Sequence, residues 1–254
     1  MVLLLALLSF QADKQIPQKH TDLKEMHLSG AVKTLTDILY KPVEIESDFL
    51  NKTIRTKSIY HFNKDGNITD DDIFNHWLSD THLMDTILYD ENGNRSTQLT
   101  YNDKNEFVKE YAFVCNEKGE VMDRKVVMSK ENFDIHMSYQ YDEKGNKIAI
   151  SSFSSNGDLI SKTKFGYKYD SKDNIIVDSM FSKNDSLLLL RSYKLDNMGN
   201  IVQQNEYSGN KKLTRTLIFE YKYDNTGNWI IKKGKVTFGG IGFLLTEREI
   251  EYYK

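Results

Sequence analysis

The residues best equipped for chemistry are a few clusters rich in oxygen and nitrogen. Asp70-Asp71-Asp72, with Asp65, Asn67 and Thr69 just before it, is the densest acidic string in the chain. Such strings supply the hard oxygen ligands that calcium takes, but the D-x-D-x-D-G spacing with a distal glutamate is missing. A solvated face between a turn and a strand is the expectation. His76 and His82 flank the Leu78–Thr81 turn, near Asp80 and Asp85. Zinc needs three or four ligands, and at most two convincing ones stand here. Cys115 is the single cysteine, so the chain can form no internal disulfide. It reads as a buried, inert thiol, not as a nucleophile.

Other motifs fail on context. Phe238-Gly239-Gly240-Ile241-Gly242-Phe243 is glycine-rich but opens no helix, so it reads as a hairpin turn and not as a phosphate cradle. No G-x-S-x-G, H-E-x-x-H or C-x-x-C occurs. Glu220 and Glu247 could pair as acid and base across a sheet, but nothing selects them over other carboxylates. No catalytic, cofactor-binding or metal-binding residue is assigned. The chain reads as a non-enzyme without a cofactor.

The elements that would position such residues are repeats. Seven segments alternate aromatic or apolar residues and then turn: YHFNKDGN, ILYDENGN, FVCNEKGE, YQYDEKGN, YKYDSKDN, YKLDNMGN and YKYDNTGN. Their turns open at Asn63, Asp90, Asn116, Asp142, Asp170, Asp196 and Asp224, at intervals of 27, 26, 26, 28, 26 and 28 residues. So regular a period signals a repeat architecture. In the last copy Phe219, Tyr221 and Tyr223 alternate with Ile218, Glu220 and Lys222, the period of a strand with one packed face. Asp224 can accept a backbone N–H, and Gly227 supplies the positive φ that a bulged hairpin turn requires. Asp173 replaces that glycine in the fifth copy, and Glu120 replaces the asparagine in the third.

A second, looser turn is expected midway through each period, at Tyr101–Asn105, Lys130–Asn132, Ser154–Gly157, Ser182–Asp185 and Ser208–Lys211. Each period of about 27 residues is thus two strands and two turns. The fold class is all-β: an antiparallel meander of about sixteen strands in a curled or spiralling sheet. Tyr60, Ile87, Phe113, Tyr139, Tyr167, Tyr193 and Tyr221 form one row on its inner face. Phe62, Tyr89, Cys115, Tyr141, Tyr169, Leu195 and Tyr223 form a second. These rows are expected to be the hydrophobic spine, with a ligand-stacking platform as the alternative.

Composition narrows the partners. Net charge is −3 and aromatic residues make up 12% of the chain, with no basic stripe beside them, which argues against nucleic acid. Lys232, Lys233 and Lys235 read as a solvated strand face. The opening MVLLLALLSFQA resembles the apolar core of a secretory signal peptide, although it lacks a basic start and Phe10 is bulky for a cleavage site. It is too short to span a bilayer. Residues 1–12 are therefore assigned to a signal peptide, 13–54 to an N-terminal cap and first strand, and 55–254 to the repeat domain. Asp22–Met26 reads as a helical turn, Val32–Tyr40 as the first strand, and Phe243–Tyr252 as a last strand left as an exposed edge. Asp85-Thr-Ile, Asp178-Ser-Met and Asp185-Ser-Leu resemble short O-glycosylation acceptors of exported bacterial proteins.

The Y-x-Y-D-x-x-G-N copies, from about Tyr60 to Trp229, resemble the YD-repeat (Rhs-type) family of bacterial envelope and secreted proteins. The period is longer than that family's, and the copies end Gly-Asn where it has Gly-Arg. The resemblance implies a spiralling β-sheet in the envelope or outside the cell, and it carries over no catalytic residue. The reading is an exported, non-catalytic β-repeat protein in the periplasm, at the surface or outside the cell, presenting an extended sheet to a protein or glycan partner. The alternatives are a carbohydrate-active enzyme with a carboxylate pair on the concave face, and an accessory or immunity protein of a secretion or toxin system.

Overall fold

The computed structural model describes residues 21–76, 80–128, 135–238, 240 and 242–254. The signal-peptide assignment lies outside the described residues, as do all of Lys130–Asn132, part of the Leu78–Thr81 turn, and Gly239 and Ile241. A four-residue helix, α1 (Asp22–Glu25), precedes the strands. The first eight are β1 (Val32–Tyr40), β2 (Ile54–Phe62), β3 (Ile68–Asn75), β4 (Thr81–Tyr89), β5 (Arg95–Asn102), β6 (Phe107–Cys115), β7 (Val121–Met128) and β8 (Ile135–Tyr141). The rest are β9 (Lys147–Phe153), β10 (Leu159–Tyr169), β11 (Ile175–Phe181), β12 (Leu187–Leu195), β13 (Ile201–Ser208), β14 (Leu213–Tyr223), β15 (Trp229–Phe238) and β16 (Gly242–Tyr252).

Each strand pairs with its successor, and β1 pairs with β16, so the sheet is a closed barrel. This corrects the curled or spiralling sheet and the exposed last edge. β1 lies antiparallel to β16 from Val32↔Tyr252 to Leu39↔Thr246, and to β2 on its other side. Closure gives partners to the backbone groups that two free edges would leave open.

The turns share one geometry. In the fourth copy the Asp142 N–H donates to the Asn146 carbonyl at 2.9 Å, and the Gly145 N–H donates to the Asp142 carbonyl at 3.1 Å, with Gly145 at φ +84°. The midway turns are equally tight, which corrects the expectation of looser ones. Ser154, Ser182 and Ser208 make the same pair of bonds, and Gly157, Asp185 and Lys211 occupy the positive-φ position. Asp173 does so at φ 64° in the copy that lacks glycine.

The tyrosines tie consecutive repeats together, and the interval decides how. Where it is 28, the second-row tyrosine reaches the preceding turn: Tyr169 donates to Asp142 and accepts from Asn146, both at 2.8 Å. Tyr223 does the same with Asp196 and Asn200, at 2.8 and 2.9 Å. The first-row hydroxyls of Tyr167 and Tyr221 then donate to the carbonyls of Lys147 and Ile201, the residue just past each asparagine. Where the interval is 26 or 27, the second row takes over that carbonyl. Tyr89 donates to Ile68, Cys115 Sγ to Arg95 and Tyr141 to Val121. At the seam Tyr252 of β16 bonds Asp224 and Asn228, as though an eighth repeat were present.

Both rows lie on the inner face, while the residues between them, Leu88, Val114, Gln140, Lys168, Lys194 and Lys222, are exposed. Val32, Leu35, Phe62, Ile68 and Ile87 form a buried cluster, capped by Leu23, Met26 and Leu28 of the α1 segment. Elsewhere most of the rows are half-buried, not the fully packed spine expected of them. That segment crosses one mouth of the barrel. Leu23 N–H donates to the Gly66 carbonyl at 3.0 Å, and Ser29 exchanges two hydrogen bonds with Asn228, each 2.8 Å.

Two predictions follow from the turns. Burial works to raise the Asp142 and Asp196 carboxyls, but the N–H of Asn146 or Asn200 and the tyrosine hydroxyl outweigh it and hold both below the usual range. Their stabilisation is present above the unfolded carboxylate pKa and is lost as pH falls through the lower folded value. Tyr223→Phe should cost about 1 kcal/mol at pH 7, with a smaller loss at pH 3. Urea melts at both pH values test this, and an equal loss at each would refute the charge-assisted bond. Gly145→Val should destabilise by at least about 1 kcal/mol, because a β-branched residue is strained at positive φ. Asp173→Gly should be neutral or stabilising, since it relieves that strain and gives up only the exposed ion pair with Lys144. Thermal melts showing the reverse order would overturn the turn assignment.

Candidate functional site

Strand alternation splits the acidic string. Asp70 and Asp72 project outward from β3 to histidines on the neighbouring strands, His61 at 2.6 Å and His82 at 2.8 Å. Asp71 projects inward and is buried opposite Asp85 of β4, which corrects the expected solvated face. The His76 ring instead bonds Asp80 at 2.7 Å, so the two histidines serve different aspartates. Among the described residues, no three His, Cys, Asp or Glu side chains are grouped to hold a metal ion. Cys115 is half-buried, and burial raises its thiol pKa.

Glu220 and Glu247 project from the outer wall, Glu220 exposed and Glu247 bound to Lys52 and to the Tyr40 hydroxyl. The carboxylates that do face each other inside are Asp71 and Asp85. Asp85 accepts from Gln98 at 2.6 Å and from the Thr100 hydroxyl, whereas Asp71 Oδ1 is buried without a partner. Burial, then the Asp85 charge, push Asp71 up to about 7. Of the aspartates in the acceptor-like triplets, Asp85 and Asp178 face inward and Asp185 forms a turn.

The inner face is charged as well as aromatic. Asp178 of β11 holds Arg191 at 2.9 Å and accepts from Tyr193 at 2.7 Å. Asp37 of β1 holds Arg248 at 3.1 Å, and Arg248 lies 3.5 Å from the centre of the Trp229 ring. Burial lowers the pKa of Lys232, which shares that wall, and Arg248 lowers it further. Lys232 is therefore an inner-wall cation, which corrects the solvated face assigned to its cluster, while Lys233 and Lys235 are exposed outside.

Beside the α1 segment the mouth stays half-open over a cavity of about 810 Å³. Its walls are the rings of Phe113, Tyr139, Tyr141 and Tyr167, with Arg95, Arg124 and Lys147 between them. Glu25, Glu120 and Glu143 stand around it. Asp22 of α1 anchors one side, accepting from Arg95 at 2.9 Å and from the Ile68 N–H at 2.7 Å. The volume lies within the roughly 300–1,000 Å³ of small-molecule sites. Neither Asp71 nor Asp85 lines it. Sequence reasoning missed this site, although the repeat register places Arg124 opposite Phe113 on the aromatic face.

In structure the chain is similar to a porin-like protein from Bacteroides uniformis, with a TM-score of 0.56 and 12% identity over 88% of this chain and 98% of that one. The likeness is one of fold. It shows an all-β, antiparallel closed barrel. A porin-like protein from Bacteroides vulgatus aligns at a TM-score of 0.40 and 12% identity, over 88% of this chain and 99% of that one. A TcdB2-TccC3-TEV structure aligns at 0.27 and 10% identity, over 84% of this chain and 13% of that one. Scores that low carry no argument. No family model matches the chain. No curated protein matches it either. The YD-repeat resemblance therefore rests on the motif itself.

The outer wall mixes charge with apolar side chains, among them exposed Leu88, Val114, Ile160, Leu188 and Ile218. Lys125, Lys168, Lys194, Lys222, Lys233 and Glu249 are exposed on six different strands. Among the described residues, no helix is long and apolar enough to cross a membrane.

The carboxylate pair yields a test. A carboxyl whose folded pKa is raised keeps its full stability below the unfolded value, near 4, and loses it as pH rises toward the folded value. Asp71→Asn should therefore raise the melting midpoint at pH 8 and give no gain at pH 4. A gain of the same size at both would show that Asp71 is not a neutralised acid in the fold.

Proposed function

We propose that this chain is an exported, non-catalytic β-barrel of the cell envelope that binds a glycan or protein partner at its mouth. The half-open cavity walled by Phe113, Tyr139, Tyr141 and Tyr167 carries the reading. It offers ring faces flanked by charged and amide groups, the usual make-up of a ligand site. A concave site suits a glycan end better than a flat protein surface. Export is supported by the apolar Val2–Leu8 run. Exposed charged side chains on six strands of the outer wall favour an aqueous setting over a continuous apolar band turned to lipid. The reading places this porin-like fold in an aqueous compartment such as the periplasm. Against the enzymatic alternative stands the placement of Asp71 and Asp85, which are buried and do not line the cavity.

A glycan-array screen with the native chain and with Val121→Trp, which adds ring volume to the cavity wall, tests the reading. The native chain should retain a subset of glycans, and the variant should lose them while keeping its melting midpoint. An array on which the native chain retains nothing would overturn glycan binding. Fractionation of the host should find the chain outside the cytoplasm, and an intact Met1 on cytosolic protein would overturn export.

A further inference from the structure

Arginine bookkeeping inside the barrel is uneven. Arg95, Arg191 and Arg248 each meet a carboxylate, from Asp22, Asp178 and Asp37 respectively. Arg124 of β7 has none among the described residues. Its contacts are neutral: Nη2 lies 2.8 Å from the sulfur of Met137, the guanidinium meets the Tyr139 hydroxyl, and its charge lies 5.1 Å from the centre of the Tyr111 ring. Its Nε is buried and donates to no partner among the described residues. Guanidinium cannot shed its proton to escape the cost, as a buried lysine or carboxyl can. A half-buried cation left in this state is expensive unless an anion completes it.

Arg124 also lines the mouth cavity. Register places it between Phe113 of β6 and Met137 of β8 on the same inner face. Lys147 adds a second cation, 5.7 Å from the centre of the Tyr139 ring. Of the other cations lining the cavity, Arg95 is held by Asp22 and Lys144 by Asp173, while Lys24 and Lys118 stand at its edge. Glu25, Glu120, Glu143 and Asn146 supply acceptors and a donor for hydroxyl groups. We infer that the cavity binds an anionic saccharide, its carboxylate or sulfate docked against the Arg124 guanidinium and its ring face stacked on the aromatic wall. This deepens the glycan-binding reading and rests on it. Arginine suits the task because its planar fork matches such oxyanions.

The experiment is calorimetric titration of the native chain, Arg124→Met and Arg124→Lys with digalacturonate, a sulfated galactose disaccharide and neutral galactobiose, each beside a thermal melt. Native protein should prefer one of the acidic sugars to the neutral one. Arg124→Met should lose about 10- to 100-fold in affinity for that sugar, and Arg124→Lys should restore part of it. Without ligand, Arg124→Met should melt no lower than native, because it removes an uncompensated charge at similar volume. Affinity for saccharides that ignores their charge, or that survives Arg124→Met, overturns this inference and leaves glycan binding standing. Failure of all three sugars to bind overturns both. A sharp fall in the melting midpoint of Arg124→Met would show that the arginine is structural, and would also overturn it.

Discussion

A ring of sixteen strands is too wide for its own side chains to fill, since barrels of about eight strands are already the widest that close on a solid core. Most of this structure follows from that constraint. Where the α1 segment lies against the wall, Val32, Leu35, Phe62, Ile68 and Ile87 find enough neighbours to be buried. Away from it the aromatic rows are half-buried, and a cavity remains at the mouth. Shape is held by the wall itself, through strand pairing around the whole circumference and bonds between successive repeats.

The tyrosine hydroxyls are the most regular of those bonds. A hydroxyl on one repeat reaches the turn or the first strand residue of the repeat before it, so neighbouring hairpins are tied by side chains as well as by ladder hydrogen bonds. An interval of 28 uses both rows, and an interval of 26 or 27 uses the second alone. Two residues more or less preserve which face a strand presents, because side chains alternate with period two. The tyrosine reach then shifts by one pleat. Leu195 ends an interval of 26 and has no hydroxyl to offer, so its repeat lacks the bond, while Tyr193 turns to Asp178.

A wide interior also has to accommodate charge. Three inner arginines, Arg95, Arg191 and Arg248, are matched across a strand or by the α1 segment, at a geometry that offsets much of their desolvation. Asp71 and Arg124 depart from that pairing in opposite ways. Asp71 is pushed by burial and by Asp85 up to about 7, so it can relieve its charge by taking up a proton. Arg124 has no such exit and borders open volume. The contrast explains why the mouth, and not the most acidic string in the chain, is the place where a ligand would change the energetics.

Much of the fold was legible in the residues themselves. Alternation, Asp or Asn opening each turn, and glycine three residues later defined the strands, the turns and the face on which the aromatic rows lie, because those are local steric and hydrogen-bonding requirements. Even the positive φ of Asp173 could be read from the motif it interrupts. Closure could not, since Val32–Tyr40 carries an ordinary strand pattern and nothing local says that it meets a strand 207 or more residues away. The burial of Asp71 was available in principle from counting faces along β3, but the value of that burial depends on Asp85 across the sheet. Arg124 could be placed on the aromatic face by register alone. That it lacks a carboxylate and borders a cavity was decided only when β6, β7, β8 and the α1 segment met around it, because compensation of a charge is a property of distances in space and not of position along the chain.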